Sequence, residues 1–138
     1  MNLFKSSFRN YTAVTAIFIP VLASACTSNP PESIPIEEQM AAKGYLIKEP
    51  VKRLKDYRIN GWSSVDRRNV ILNVGASDNY LVTVRSPCEG LRSAEHLAFS
   101  TIIGDLTDKD KLIVRDSGGY IQSCYIDTIQ TLEKIKRN

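Results

Sequence analysis

Three thiols, one histidine and a short run of carboxylates are the groups in this chain that could do chemistry. Cys26, Cys88 and Cys124 are the cysteines, and no two of them stand at the C-x-x-C spacing of a redox pair or a zinc ribbon. His96 follows Glu95, a neighbour pair that would suit a general base. No G-x-S-x-G nucleophile accompanies it, and adjacent residues on a helix point in different directions, so a solvated surface histidine is expected. Asp105, Asp108 and Asp110 could hint at calcium, but the central Gly and distal Glu of a calcium loop are missing, and a polar turn is expected instead. Trp62 and Tyr80 could stack on a ligand; at alternating strand positions aromatics are more simply core. Lys52, Arg53, Lys55 and Arg58 form a basic cluster interrupted by Asp56, which reads as a solvated helical face, and Asp66-Arg67-Arg68 reads as a polar turn. Nothing here assembles an active site, so the expectation is a protein that is not an enzyme, with no cofactor and no metal.

The first cysteine has a different setting. Lys5 and Arg9 are the only charged residues before it, Tyr11 to Ala23 is mainly apolar, and Ala23-Ser24-Ala25 supplies small residues just ahead of Cys26. This is the three-part layout of a secretory signal peptide over residues 1–25. The apolar run is shorter than the 20 or so residues a membrane span needs and is broken by Pro20. Leu22-Ala23-Ser24-Ala25-Cys26 resembles the bacterial lipobox, which implies acylation of the Cys26 thiol and removal of the leader. The same small residues also fit an ordinary cleavage site with Cys26 as a bystander. Thr27 stands where an Asp would imply inner-membrane retention, so the resemblance implies an outer-membrane location facing the periplasm. Several acyl chains, at about 0.8 kcal/mol per buried CH₂, would hold the protein on the bilayer.

With Cys26 carrying lipid, Cys88 and Cys124 become an even pair in an oxidising compartment, where a structural disulfide is expected. The chain has 138 residues, a one-domain length. Two of its 18 Lys and Arg precede Cys26, so the remainder carries 16 basic against 15 acidic residues. A near-neutral protein has no global field to draw it onto nucleic acid, and that partner class is set aside.

The elements follow from periodicity. Pro30, Pro31 and Pro35 make residues 26–44 a lipidated, Pro-rich tether, with at most a transient helical turn at Glu37 to Ala42. Residues 45–138 are the β-rich domain. Val51 to Tyr57 predicts one or two helical turns with Val51 and Leu54 inward. Ile59 to Val65, Asn69 to Val74 and Tyr80 to Arg85 predict strands, the last two joined as a hairpin through Gly75 to Asn79. Leu91, Ala94 and Leu97 recur at helical spacing, consistent with a short helix or tight loop. Phe99 to Ile103 predicts a fourth strand. Lys111 to Arg115 and Tyr120 to Thr128 predict a hairpin around Ser117-Gly118-Gly119. Ile129, Leu132 and Ile135 predict a short terminal helix. The fold class is therefore mainly β, a small five- to six-stranded barrel or sandwich with one or two short helices and one disulfide.

From residue 57 onward the pattern resembles a proteobacterial family of short lipoproteins classed as a domain of unknown function. The matching pieces are Ile59-Asn60-Gly61-Trp62, Val65-Asp66, Val70-Ile71-Leu72, Tyr80-Leu81-Val82-Thr83-Val84, Pro87-Cys88-Glu89-Gly90-Leu91, Leu112-Ile113-Val114, and Cys124-Tyr125-Ile126 with Ile129. The resemblance implies a two-cysteine, β-rich periplasmic domain and assigns no activity. The expected function is a non-catalytic envelope lipoprotein that binds another envelope protein or a cell-wall component, or helps an assembly. The alternative is an inhibitor or sensor of an envelope-attacking protein such as lysozyme. Ser117-Gly118-Gly119-Tyr120 resembles the Ser-Gly-containing loop of small barrel lipoproteins that block that enzyme.

Overall fold

The computed structural model describes residues 33–55, 58–101, 104–136. The expected signal segment, Cys26 and the first part of the expected tether lie outside the described residues, and Ser33–Asn138 forms one compact unit. A short helix, α1 (Ile36–Ala42), opens it. The strands are β1 (Tyr45–Pro50), β2 (Arg53–Leu54), β3 (Ile59–Ser64), β4 (Asn69–Val74), β5 (Asp78–Val84), β6 (Ala94–Phe99), β7 (Leu106–Thr107), β8 (Lys111–Asp116) and β9 (Ile121–Lys134). One 3₁₀ turn, Glu89–Ser93, precedes β6.

Six strands in the order β3-β4-β5-β9-β8-β6 make a nearly closed antiparallel barrel. β9 is its spine. One edge pairs with β5 through residues 126–132; the other pairs first with β8 through residues 121–125 and then with β1 through residues 130–134. β2 and β7 pair separately as a two-residue bridge.

Alternation along the strands fills the interior with Val70, Leu72, Val82, Val84, Leu112, Val114, Ile126 and Ile129, all buried. The Cys88–Cys124 disulfide belongs to this core and ties the loop after β5 to β9, with a Cα–Cα distance of 6.0 Å. Trp62 lies opposite Leu72, which lies opposite Tyr80; both aromatics are partly buried and pack on the core, as expected of core aromatics. Burial, with Asp78 adding to it, pushes the Tyr80 hydroxyl above its ordinary pKa.

A second, smaller cluster sits on the outer face of the sheet. Ile71, Leu81 and Leu132 point away from the interior there, and α1 covers them with Met40, which is 0% exposed. Ile36, Tyr45, Ile47 and Val65 seal the edges. The tether reading of residues 26–44 is thus corrected from Ser33 onward. The helix is anchored by its one buried side chain, and Gly44, at φ +83°, turns the chain into β1 in a conformation that suits glycine.

Three other expectations are corrected. Val51 to Tyr57 is not helical in its described part. Val51 donates its N–H to the Ile129 carbonyl at 2.8 Å, and Leu54 is buried in the bridge to Leu106. Leu91 lies in the 3₁₀ turn, but Ala94 and Leu97 belong to β6, which ends at Phe99 where the fourth strand was expected to start; Ile102 and Ile103 lie outside the described residues. The predicted terminal helix is instead the second half of β9. A bulge explains the misleading spacing. Thr83 pairs with Thr128 and Val84 with Ile126, so the extra residue Asp127 resets the alternation. Ile126 and Ile129 both face the interior as a result, while Leu132 joins the outer cluster.

Candidate functional site

The chemistry-bearing residues are not gathered in one place. His96 is exposed on β6 opposite Arg115, and Glu95 sits in a register irregularity beside it. Asp105 pairs with Arg53 at 3.4 Å, across the β2–β7 bridge. Asp110 organises the turn before β8. Its carboxylate accepts from the Thr107 N–H at 2.8 Å, from the Thr107 hydroxyl at 2.9 Å, from Ser100 at 3.1 Å, and from the Thr101 hydroxyl. Burial works against its charge, but those hydrogen bonds outweigh it and hold the carboxyl below its ordinary pKa. The acidic run is therefore a built turn. Among the described residues no group of three or more His, Cys, Asp or Glu could hold a metal ion.

Asp66 plays the same part in the β3–β4 connection. Its Oδ1 accepts the backbone N–H groups of Arg68 at 2.6 Å and Asn69 at 2.9 Å, and the Asn69 amide bonds the same carboxylate. Asn69 in turn accepts from Thr83 at 2.7 Å, which satisfies a buried amide. Arg67 reaches Glu89 at 3.2 Å, and Arg68 donates to the carbonyls of Val84 and Arg85. A cleft of about 540 Å³ lies between this turn and the start of α1. Its charged groups are largely committed to holding the turn, which leaves the cleft few groups to offer a ligand.

The hairpin Ser117 to Tyr120 is equally well held. Asp116 Oδ1 accepts the N–H of Gly118 at 3.0 Å and of Tyr120 at 2.9 Å, and Gly119 adopts φ +82°. Tyr120 projects from it, 68% exposed.

What is left uncommitted is a sheet face. On the C-terminal half of β9, paired at its edge with β1, Leu132 on the outer side lies under α1, but the N-terminal half is bare. Ile121 is 62% exposed and Tyr125 52%, with exposed Ser123 between them. Across the β8 register, Lys111 faces Tyr125, Ile113 faces Ser123, and Arg115 faces Ile121. The Lys111 ammonium lies 4.8 Å from the centre of the Tyr125 ring and the Arg85 guanidinium 5.9 Å from it, both within cation–π range. Arg85 is steadied by donating from Nε to the Ile126 carbonyl at 3.2 Å. A cleft of about 230 Å³ adjoins, lined by Arg85, Ser86, Pro87 and residues 122–125. Acidic groups border the face at Asp116 beside Arg115, at Asp127 in the bulge and at Glu95 beside β6. The arrangement offers cations, a flat aromatic ring and aliphatic surface together.

Sequence reasoning placed Tyr125 on a strand without singling it out. The available signal was Ile121, Tyr125 and the basic residues of β8 at alternating positions on two strands of one hairpin. Of the expected site residues, Cys88 and Cys124 are bonded to each other, and Cys26 lies outside the described residues.

No curated protein and no solved structure matches the chain. A family model does, over residues 9–137, and the chain belongs to that family, DUF6491, a family of unknown function.

Proposed function

We propose that this chain is an exported bacterial lipoprotein, acylated on Cys26 and held on the outer membrane facing the periplasm, where its barrel serves as a non-catalytic binding or assembly module. One observation carries the reading. Cys88 and Cys124 are joined, which leaves Cys26 as the odd cysteine, directly after a leader-like segment and three small residues. A structural disulfide suits an oxidising compartment. The bare face of β8 and β9 suits binding, while Asp110 is spent on its turn and Asp105 on its ion pair with Arg53.

The intact mass of the protein, expressed with its own leader and extracted from membranes, tests this. The expected mass is residues 26–138 plus acyl groups, rising by two hydrogens on reduction. An unacylated mass would overturn the anchor.

A second reading, an inhibitor of an envelope-attacking enzyme such as lysozyme, is favoured by the rigid glycine hairpin that presents Tyr120. Titrating lysozyme with the protein decides it: undiminished activity at stoichiometric protein removes this reading.

A further inference from the structure

We propose that the bare outer face of β8 and the first half of β9 is a membrane-docking surface, which lays the barrel onto anionic lipid headgroups. The inference rests on the Cys26 anchor proposed above and adds a second, non-covalent contact.

Composition is the first argument. Ile121 and Tyr125 are exposed on one face with Arg85, Lys111 and Arg115 around them, and Tyr120 is exposed at the adjoining hairpin. Tyrosine favours the headgroup level, where its ring is apolar and its hydroxyl stays wet. Lysine and arginine around it meet lipid phosphates, each worth roughly a fivefold gain near an anionic surface. Asp127 and Glu95 at its margins and Asp116 at the hairpin end oppose this in part, while the three cations flank the Ile121–Tyr125 strip itself.

Shape is the second. The patch is the outer face of an antiparallel hairpin, and a cleft of about 230 Å³ adjoins it. The other half of the same strand shows what an apolar outer face needs inside the chain, because α1 covers it there with Met40. No described element covers Ile121 and Tyr125, so their cover comes from outside the compact unit.

Position is the third. Ser33 and Ile34 line a cleft together with Pro87, and Pro87 also lines the cleft beside Arg85 and Tyr125. The start of the compact unit thus adjoins the patch. Cys26 precedes Ser33 by seven residues, which span about 25 Å at most when fully extended. A bilayer holding an acylated Cys26 would lie within that reach of the face, and local concentration would make even weak headgroup contacts persistent.

The test uses the lipidated full-length protein reconstituted into vesicles. One set is phosphatidylethanolamine with one quarter phosphatidylglycerol, the other phosphatidylcholine alone. Lysine acetylation and tyrosine nitration are followed by peptide mass, with Lys48 on β1 as internal reference. On the anionic vesicles, labelling of Lys111, Tyr120 and Tyr125 is expected to fall about fivefold or more relative to Lys48, and to recover in high salt. Lys111→Gln with Arg115→Gln should lose the protection at Tyr120 and Tyr125, and so should Ile121→Glu at an exposed position that the fold tolerates. An acylated protein whose tyrosines label equally on both vesicle types and in detergent overturns the docking surface and leaves the anchor standing. A mass without acyl groups overturns the anchor, and this inference with it. Protection in intact cells but not on vesicles assigns the face to a protein or glycan partner and overturns the bilayer contact.

Discussion

Replacing Met40 by alanine removes the only buried side chain of α1. The thioether lies against Ile71, Leu81 and Leu132 on the outer face of the barrel, and Met40 is 0% exposed. A fully buried methionine truncated to alanine costs about 2–5 kcal/mol, transfer and cavity terms together. The lower end applies here. A seven-residue helix is too short to be stable alone, so without its anchor it can lift away and let water reach the cavity. We therefore expect a loss of about 2–3 kcal/mol, which on a domain of this size lowers Tm by roughly 10–20 °C. Urea unfolding with the disulfide intact is the assay, together with hydrogen exchange of the Gln39 and Lys43 amides, whose bonds to Pro35 and Gln39 hold the helix. The slope of the urea transition should fall as well, because a chain with α1 already undocked exposes less new surface on unfolding. Ile34→Ala, at a position 58% exposed, should change stability by less than about 0.5 kcal/mol. A Met40→Ala protein within about 0.5 kcal/mol of the parent, at unchanged slope, would refute the reasoning. Residues 36–44 would then be tether after all.

Two more predictions concern the bonds that hold the barrel. Cys88 and Cys124 are 36 residues apart, and closing a loop of that size stabilises the fold by about 4 kcal/mol in the chain-entropy account. The double replacement by serine should shift the urea midpoint accordingly, and a loss under about 1 kcal/mol would show that the loop is constrained without the bridge. Asp110 has a folded-state pKa below its unfolded value, so its contribution is complete above about pH 4 and disappears as the pH falls through the lowered value. Asp110→Asn should therefore be less stable than the parent by about 1–3 kcal/mol at pH 7. The gap should narrow as the pH falls below about 4 in acid-dependent urea titrations; a gap that stays constant or widens there contradicts the assignment.

The sheet was legible where one rule decided the local structure. β4 runs from Asn69 to Val74, as the alternation predicts, because Val70, Leu72 and Val74 all reach the interior and the Gly75 turn fixes the register with β5. The paired cysteines followed from counting and compartment. The expectations failed where two faces compete for the same strand. Val70-Ile71-Leu72 is apolar at consecutive positions because Ile71 is covered from outside, and that run is the sequence trace of α1 docking. Ile129 and Leu132 serve opposite faces and so mimic helical spacing. The bulge at Asp127 has no signature that alternation alone can detect. The exposed face was unreadable for a related reason: Tyr125 gains its cations from Lys111 on the neighbouring strand and Arg85 beyond β5, a relation of register rather than of sequence distance.

β9 is also the last strand to be synthesised. Its partners β1, β5 and β8 all lie upstream, and β1 pairs only with residues 130–134. A chain emerging from its N-terminus can form the β3–β4–β5 and β6–β8 units early, but the two cannot join until residues 121–132 are free. β9 is thereby the closing clasp: removing residues 130–138 deletes the whole partner edge of β1 and, with Leu132, one wall of the pocket that receives Met40.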